Sequence, residues 1–288
     1  MMSESSRDAI LIGYGEVGRA FASRIELSSN GLRCVDPVAA GQHGARLVES
    51  ALPDKIVPGT LVLSAVPSAA AQAVADQLAS RSDALLYIDL TSSPQELMRT
   101  CATKFEGSKV AFVDGAIMGS VDLAGADAPI ILSGSEADRA ATELATIGLN
   151  AKALANSQPG DACGLKLLRT LMTKGIEALA VECFAAADRM GLSAEIRSNL
   201  ADINARPFPD LLDAMVRTHV VHAPRRQHEV AAALEQARAL GLHATVTEAV
   251  LDAYRRTAHR SETEKPQSPT QVEQAVRWLA EGLTKVSA

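Results

Sequence analysis

The sequence predicts an α/β domain built on a doubly wound parallel sheet, followed by an all-α domain. Three observations predict it. A buried strand near the start runs into a glycine turn and straight on into a helix. Short apolar runs then alternate with helical patterns up to about residue 155. Beyond that point no convincing strand remains.

The opening unit is Ile10-Leu11-Ile12-Gly13-Tyr14-Gly15-Glu16-Val17-Gly18, a strand entering a complete G-x-G-x-x-G turn. A second apolar run, Leu32-Arg33-Cys34-Val35, ends on Asp36, eighteen residues past Gly18. Strand, glycines, helix and acid at this spacing form the dinucleotide-binding fingerprint of a Rossmann domain. Gly13 permits the tight turn, Gly15 lets backbone approach a pyrophosphate, and Gly18 lets the helix pack close to the strand. The helix N-terminus, with Tyr14, Glu16 and Val17 around it, offers free N–H groups and a partial positive charge to phosphates. Asp36 is placed to accept hydrogen bonds from the adenosine ribose. A carboxylate there repels a 2′-phosphate, so the expected cofactor is NAD, with NADP kept open. The competing reading is an ordinary turn without a ligand.

The next elements follow in order. Leu61 to Val66 is a continuous apolar run, as expected of a parallel strand covered on both faces. Pro67 starts an alanine-rich helix to about Leu78. Ala84 to Asp89 is a strand, and Pro94 opens the helix after it. Val110 to Asp114 and Pro129 to Ser133 are further strands, with a helix from about Ser135 to Ile147. Asn156-Ser157-Gln158-Pro159-Gly160 punctuates the chain, so the expected domains are 1–157 and 158–288. A proline-free helical pattern covers about 161–189. Further helices are expected at about 193–204, 208–218, 224–240, 245–259 and 269–284.

Composition narrows the function classes. A net charge of −6 with no basic face argues against nucleic acid as a partner. The polar start, Met1 to Asp8, has no apolar h-region, and no apolar run reaches spanning length, so a cytoplasmic protein with no membrane partner is expected. Cys34, Cys101, Cys163 and Cys183 lack metal-ligand spacing, and no metal site is expected. Aromatic residues make up only 3%, so alanine, leucine and valine must fill the core.

Ligands of open α/β sheets bind beyond the carboxyl ends of the strands. Those ends carry Ala65-Val66-Pro67, the Asp89 to Pro94 segment with Thr91, and Asp114 to Ser120. The first two would lie along a cofactor. The third, with Met118, Gly119 and Ser120, could offer backbone N–H groups to a carboxylate. The long helix adds Lys166, flanked by leucines, with Thr170, Thr173 and Glu177 on the same face and Lys174 slightly aside. A lysine held there loses hydration, which pushes its pKa down and lets a neutral amine act as general base. The plainer reading is a snorkelling lysine at a domain seam.

These motifs resemble those of the β-hydroxyacid dehydrogenase family, which includes 3-hydroxyisobutyrate and 6-phosphogluconate dehydrogenases. The resemblance spans nearly the whole chain. Gly13 to Gly18 resembles the family's cofactor motif, Phe112 to Ser120 its substrate motif, and Gly160 to Thr170 its catalytic helix, with the catalytic lysine on Lys166. His222-Ala223-Pro224-Arg225-Arg226-Gln227-His228-Glu229 is similar to the H-A-x-R-R-x-x-E pattern of the subgroup with a phosphogluconate-dehydrogenase-like C-terminal domain. This chain departs from the family at several positions. Thr170 stands where the family has a substrate-contacting asparagine, and Arg169 at the Asn or His beside it. Met118 replaces a serine that touches the substrate carboxylate, and His228 falls at a second lysine.

The resemblance implies an NAD(P)-dependent oxidoreductase that interconverts a small hydroxy acid and its oxo acid or semialdehyde. The substrate is expected between the domains, near Met118, Gly119, Ser120, Arg169, Thr170, Lys174, Arg226 and His228, with Lys166 as general acid and base. Two alternatives stand beside it: imine reduction on the same fold, and a non-catalytic NAD(H)-sensing protein. The apolar helices of the second domain favour a homodimer.

Overall fold

A computed structural model describes residues 8–29, 31–264 and 269–284. The chain forms two compact units, Met1–Leu171 and Met172–Ala288. This division lies inside the long helix, later than the 157/158 boundary expected from the punctuating loop.

The first unit is built on a nine-stranded sheet. Its strands are β1 (Asp8–Ile12), β2 (Gly31–Val35), β3 (Gly41–His43), β4 (Arg46–Glu49), β5 (Leu61–Ser64), β6 (Leu86–Asp89), β7 (Ala111–Ile117), β8 (Ile130–Ser133) and β9 (Ala151–Ala153). Their spatial order is β3-β4-β2-β1-β5-β6-β7-β8-β9. The helices are α1 (Glu16–Glu26), α2 (Ser68–Ala79), α3 (Gln95–Thr103), the single turn α4 (Val121–Ala124) and α5 (Ala137–Thr146), followed by the start of α6 (Asp161–Met190). Successive strand residues point to opposite faces, and both faces are covered. Leu11, Leu63 and Ile88 pack with Phe21, Ile25 and Leu144 on one side. Their neighbours Ile10, Val62 and Tyr87 pack with Leu78, Met98 and Phe112 on the other. Burial on both faces is why these strands read as unbroken apolar runs.

Parallel pairing dominates, as the alternating pattern predicts, but two pairs are antiparallel. β3 and β4 form a hairpin that pairs through β4 with the β2 edge. β7 runs against β8, because only one helical turn and a short 3₁₀ segment join them, too little for a crossover. β7 is also longer than the sequence indicates. Asp114 sits in its middle, and the turn expected from Asp114 begins only at Met118.

The second unit holds the rest of α6, then α7 (Ser193–Asn199), a 3₁₀ segment over Leu200–Ala205, α8 (Phe208–Ala239), α9 (Thr245–Thr263) and α10 (Val272–Thr284). Two separate helices were expected around Pro224. Instead α8 runs unbroken through it for 32 residues. Proline removes one intrahelical hydrogen bond, a cost of about 3 kcal/mol in a helix interior. Burial of Val220 and Ala223 just before it holds the helix through the defect. Leu234, Ala237, Ala244 and Leu251 form the core of α8 and α9. Arg260 stacks 4.2 Å over the Trp278 ring and pairs with Glu264 and Glu281, fixing α10 to α9. No helix among the described residues is long and apolar enough to cross a membrane.

Candidate functional site

The glycine turn has the shape of a phosphate cradle. Gly13 has φ +95°, and a Cβ there would meet the Ala65 carbonyl oxygen at 2.5 Å. Gly15 caps α1, and a Cβ on it would meet nothing within 4 Å. The α1 amides therefore open onto a cleft of about 800 Å³. Its walls carry Gly13, Gly15, Glu16, Val17 and Asp36, together with Ala65, Val66 and Pro67. Gly18 packs away from the cleft, against the Gly13 carbonyl. Tyr14 is buried, with its hydroxyl accepting from Arg46. Its backbone N–H donates to Asp36 Oδ2 at 2.8 Å, and the Val38 and Ala39 amides donate to Oδ1. Partial burial pushes the Asp36 pKa up, but these three amides outweigh it and hold the carboxyl below its ordinary value. A carboxylate on the cleft wall can still accept from ribose hydroxyls. The residues present thus fit a dinucleotide.

A second cavity of about 220 Å³ shares Val17, Ala65, Val66 and Pro67 with that cleft. Lys166, Ser92 and Gly119 also line it. The Lys166 Nζ donates to Ser92 Oγ. Burial lowers the Lys166 pKa from its ordinary value of 10.5, and the Cys163 thiol pulls weakly the other way.

Two buried carboxylates fix the segments that carry this pair. Asp89 and Asp114 lie side by side in register on β6 and β7. Asp89 accepts from Tyr87 Oη at 2.7 Å and from the Thr91 amide at 2.8 Å. Burial raises its pKa despite those bonds. Asp114 Oδ2 accepts from Ser133 Oγ at 2.8 Å and from the amides of Gly160, Ala162 and Cys163 at 3.0 to 3.2 Å. These amides open α6 and have no intrahelical acceptor, so Asp114 caps the helix that bears Lys166. Gly160 and Gly164 receive Gln95: a Cβ on Gly160 would meet the Gln95 carbonyl oxygen at 2.7 Å.

Residues 187–257 match a family profile described as Domain of unknown function (DUF1932). Over 225 residues the chain is 26% identical to the "Uncharacterized 28.5 kDa protein in 7S RNA 5'region" of Methanothermus fervidus, covering 76% of this chain and 86% of that protein. The solved structure of conserved protein MTH1747, described as structurally similar to 3-hydroxyacid dehydrogenases, is 26% identical. That match covers 96% of this chain and 98% of the other, with a TM-score of 0.56. An imine reductase from Aspergillus terreus, solved in complex with NADPH4 and dibenz[c,e]azepine, superposes with a TM-score of 0.73 at 17% identity, over 95% of this chain and 99% of its own. This chain has the fold of the 3-hydroxyacid dehydrogenase-like proteins and imine reductases. The resemblance read from the motifs and the α/β-plus-α architecture are both borne out at the level of fold.

Within that fold the remaining expected residues lie on several elements of the two units. Thr91 is buried and acts through its backbone: its N–H meets Asp89, and its carbonyl accepts from Cys163 Sγ at 3.3 Å. Among the described residues Met118 and Ser120 do not line the small cavity, whereas Gly119 does. Thr170 Oγ1 donates to the Lys166 carbonyl on its own helix, and Arg169 is exposed beside it. In the second unit, Lys174 pairs with Glu177 at 2.6 Å, Arg226 donates to Thr218 Oγ1 at 3.1 Å, and His228 is exposed. Sequence reading placed Ser92 only within the Asp89 to Pro94 segment expected along a cofactor, and left its contact with Lys166 and the capping function of Asp114 without assignment. The partner of Ser92 is 74 residues away, and the capped amides are 46 to 49 residues away, so no local pattern marks them.

Proposed function

We propose that this protein is an NAD(P)-dependent oxidoreductase that interconverts a small hydroxy acid and its oxo acid or semialdehyde. The observation that supports this most is that Lys166 lines a small cavity which shares Val17, Ala65, Val66 and Pro67 with the glycine-turn cleft. In the oxidative direction the neutral Lys166 amine takes the proton of the substrate hydroxyl. In the reductive direction the ammonium returns it. The nicotinamide of a bound dinucleotide supplies the hydride acceptor or donor. Gly13, Gly15 and the α1 amides would hold the pyrophosphate, and Asp36 would hold the adenosine ribose. Because no cationic side chain is among the described residues lining the large cleft, a 2′-phosphate would face Asp36 uncompensated by them, which favours NAD over NADP.

The reading is tested with Lys166→Met and a panel of hydroxy acids, followed by NADH absorbance. Dinucleotide binding should survive, and turnover should fall at least about a hundredfold, the scale of general acid–base catalysis. Wild-type oxidation should rise with pH through a midpoint below that of an ordinary lysine, because burial favours the neutral amine. Turnover that survives the substitution rejects the assignment.

Imine reduction is the second reading. It is favoured by the aliphatic side chains of Val17, Val66, Leu90, Ile117 and Val121 in the small cavity, where Lys166 is the only cation among the described lining residues. Amine and ketone substrates added to the panel separate it from hydroxy-acid oxidation, and binding of NADH with no turnover on any substrate would favour a sensing protein. A homodimer is also proposed: Leu168, Leu171 and Val181 of α6 are 65%, 75% and 65% exposed, an apolar surface that a second copy would cover.

A further inference from the structure

The loop after β6 is tied to the first turns of α6 more closely than an ordinary strand-to-helix connection requires. The Thr91 carbonyl accepts from Cys163 Sγ at 3.3 Å, and Gln95 Nε2 donates to Asp161 Oδ1 at 2.9 Å. A Cβ on Gly164 would meet the Gln95 side chain at 3.3 Å. On the other side of Ser92, the buried Ser93 hydroxyl is bonded to Ser68 Oγ at 2.9 Å. Ser92 is therefore held between two anchored neighbours, against the helix that carries Lys166. Its own side chain is exposed, and its hydroxyl packs into no core. The contact it makes is with Lys166 Nζ, at the cavity wall.

We propose that Ser92 is a positioning residue for Lys166: its Oγ accepts a hydrogen bond that holds Nζ at the cavity and favours the protonated amine. This rests on Lys166 being the proton-transfer group. A lysine stem has four rotatable bonds, so an amine without a fixed acceptor samples many positions. An acceptor on a clamped loop removes that freedom before substrate arrives. The hydroxyl also opposes the desolvation that acts on the amine. Among the described residues no carboxylate lining the cavity does so: α1, the loop after β5, the loop after β6, the end of β7, the turn after it and the start of α4 contribute Val17, Ala65 to Ser68, Leu90, Ser92, Ile117, Gly119 and Val121. None of these is titratable, and Cys163, on α6 itself, is the titratable group that acts on Lys166.

The test needs neither substrate nor cofactor. The wild-type full chain, Ser92→Ala and Ser92→Thr are labelled competitively with acetic anhydride across a pH series. Acetylation of Lys166 is then quantified by peptide mass spectrometry, which reports the titration midpoint of that amine. In Ser92→Ala the midpoint should fall by about half a pH unit or more, the scale of a partly exposed hydrogen bond to a charged group. Ser92→Thr keeps the hydroxyl and should restore the wild-type midpoint. A midpoint unchanged in Ser92→Ala, or lowered equally in both variants, overturns the proposal. Retained turnover in Lys166→Met would reject the function instead, so the two failures are separable.

Discussion

Replacing Asp114 by Ala should destabilise the first unit through the start of α6. The Asp114 carboxylate is buried and accepts from Ser133 Oγ and from three amides at the helix N-terminus. The Ala162 amide keeps a second acceptor, Ser133 Oγ at 2.9 Å. The Gly160 and Cys163 amides lose theirs. Loss of an N-cap costs about 0.5–2 kcal/mol. Each buried donor left without an acceptor costs about 1–3 kcal/mol. These overlap, because the cap is those same bonds, so the expected loss is about 3 kcal/mol. For a unit of this size that corresponds to a fall in Tm of roughly 6–12 °C. Asp114→Asn keeps one acceptor oxygen and should lose less than half as much. Urea unfolding followed by circular dichroism measures the loss, with Trp278 fluorescence reporting on the second unit. A loss below about 1 kcal/mol for Asp114→Ala would refute the argument that this carboxylate fixes the helix.

Asp36→Ala should weaken NADH binding and narrow any preference over NADPH, measured by nucleotide fluorescence titration; equal effects on both nucleotides would remove the ribose assignment. Burial and the nearby Arg226 charge lower the His219 pKa below 6.5. The unfolded chain therefore binds the proton more readily, and the second unit should lose stability as pH falls from about 6.5 toward the folded value. His219→Gln should flatten that slope in a pH series of urea midpoints. Leu171→Glu with Val181→Glu should shift a dimer toward monomer in analytical ultracentrifugation, while a wild type that sediments as a monomer would dismiss the dimer.

The glycine turn, the second strand ending on Asp36 and the shift to helices after residue 155 are legible because local chemistry writes them: turn residues, strand runs and helical periodicity. The edge hairpin is not. Gly41, Gln42 and His43 are all exposed, so β3 lacks the apolar alternation that marks a strand. Asp114 reads as the polar end of a strand because its partners lie far along the chain, on α6 and β8. Pro224 reads as a break because nothing local reveals that Val220 and Ala223 are buried. Lys166 stands out as a charge among leucines, whereas Ser92 looks like any loop serine.

The side-by-side carboxylates of β6 and β7 have a broader consequence. One anchors the segment bearing Ser92, the other the helix bearing Lys166. Neighbouring strands in a sheet stand about 4.8 Å apart, whatever their side chains. The amine and its hydroxyl thus take their reference points from the sheet's own repeat. Met118, Ser120 and Arg169, which do not line the small cavity, can then vary while the Lys166–Ser92 pair keeps its alignment.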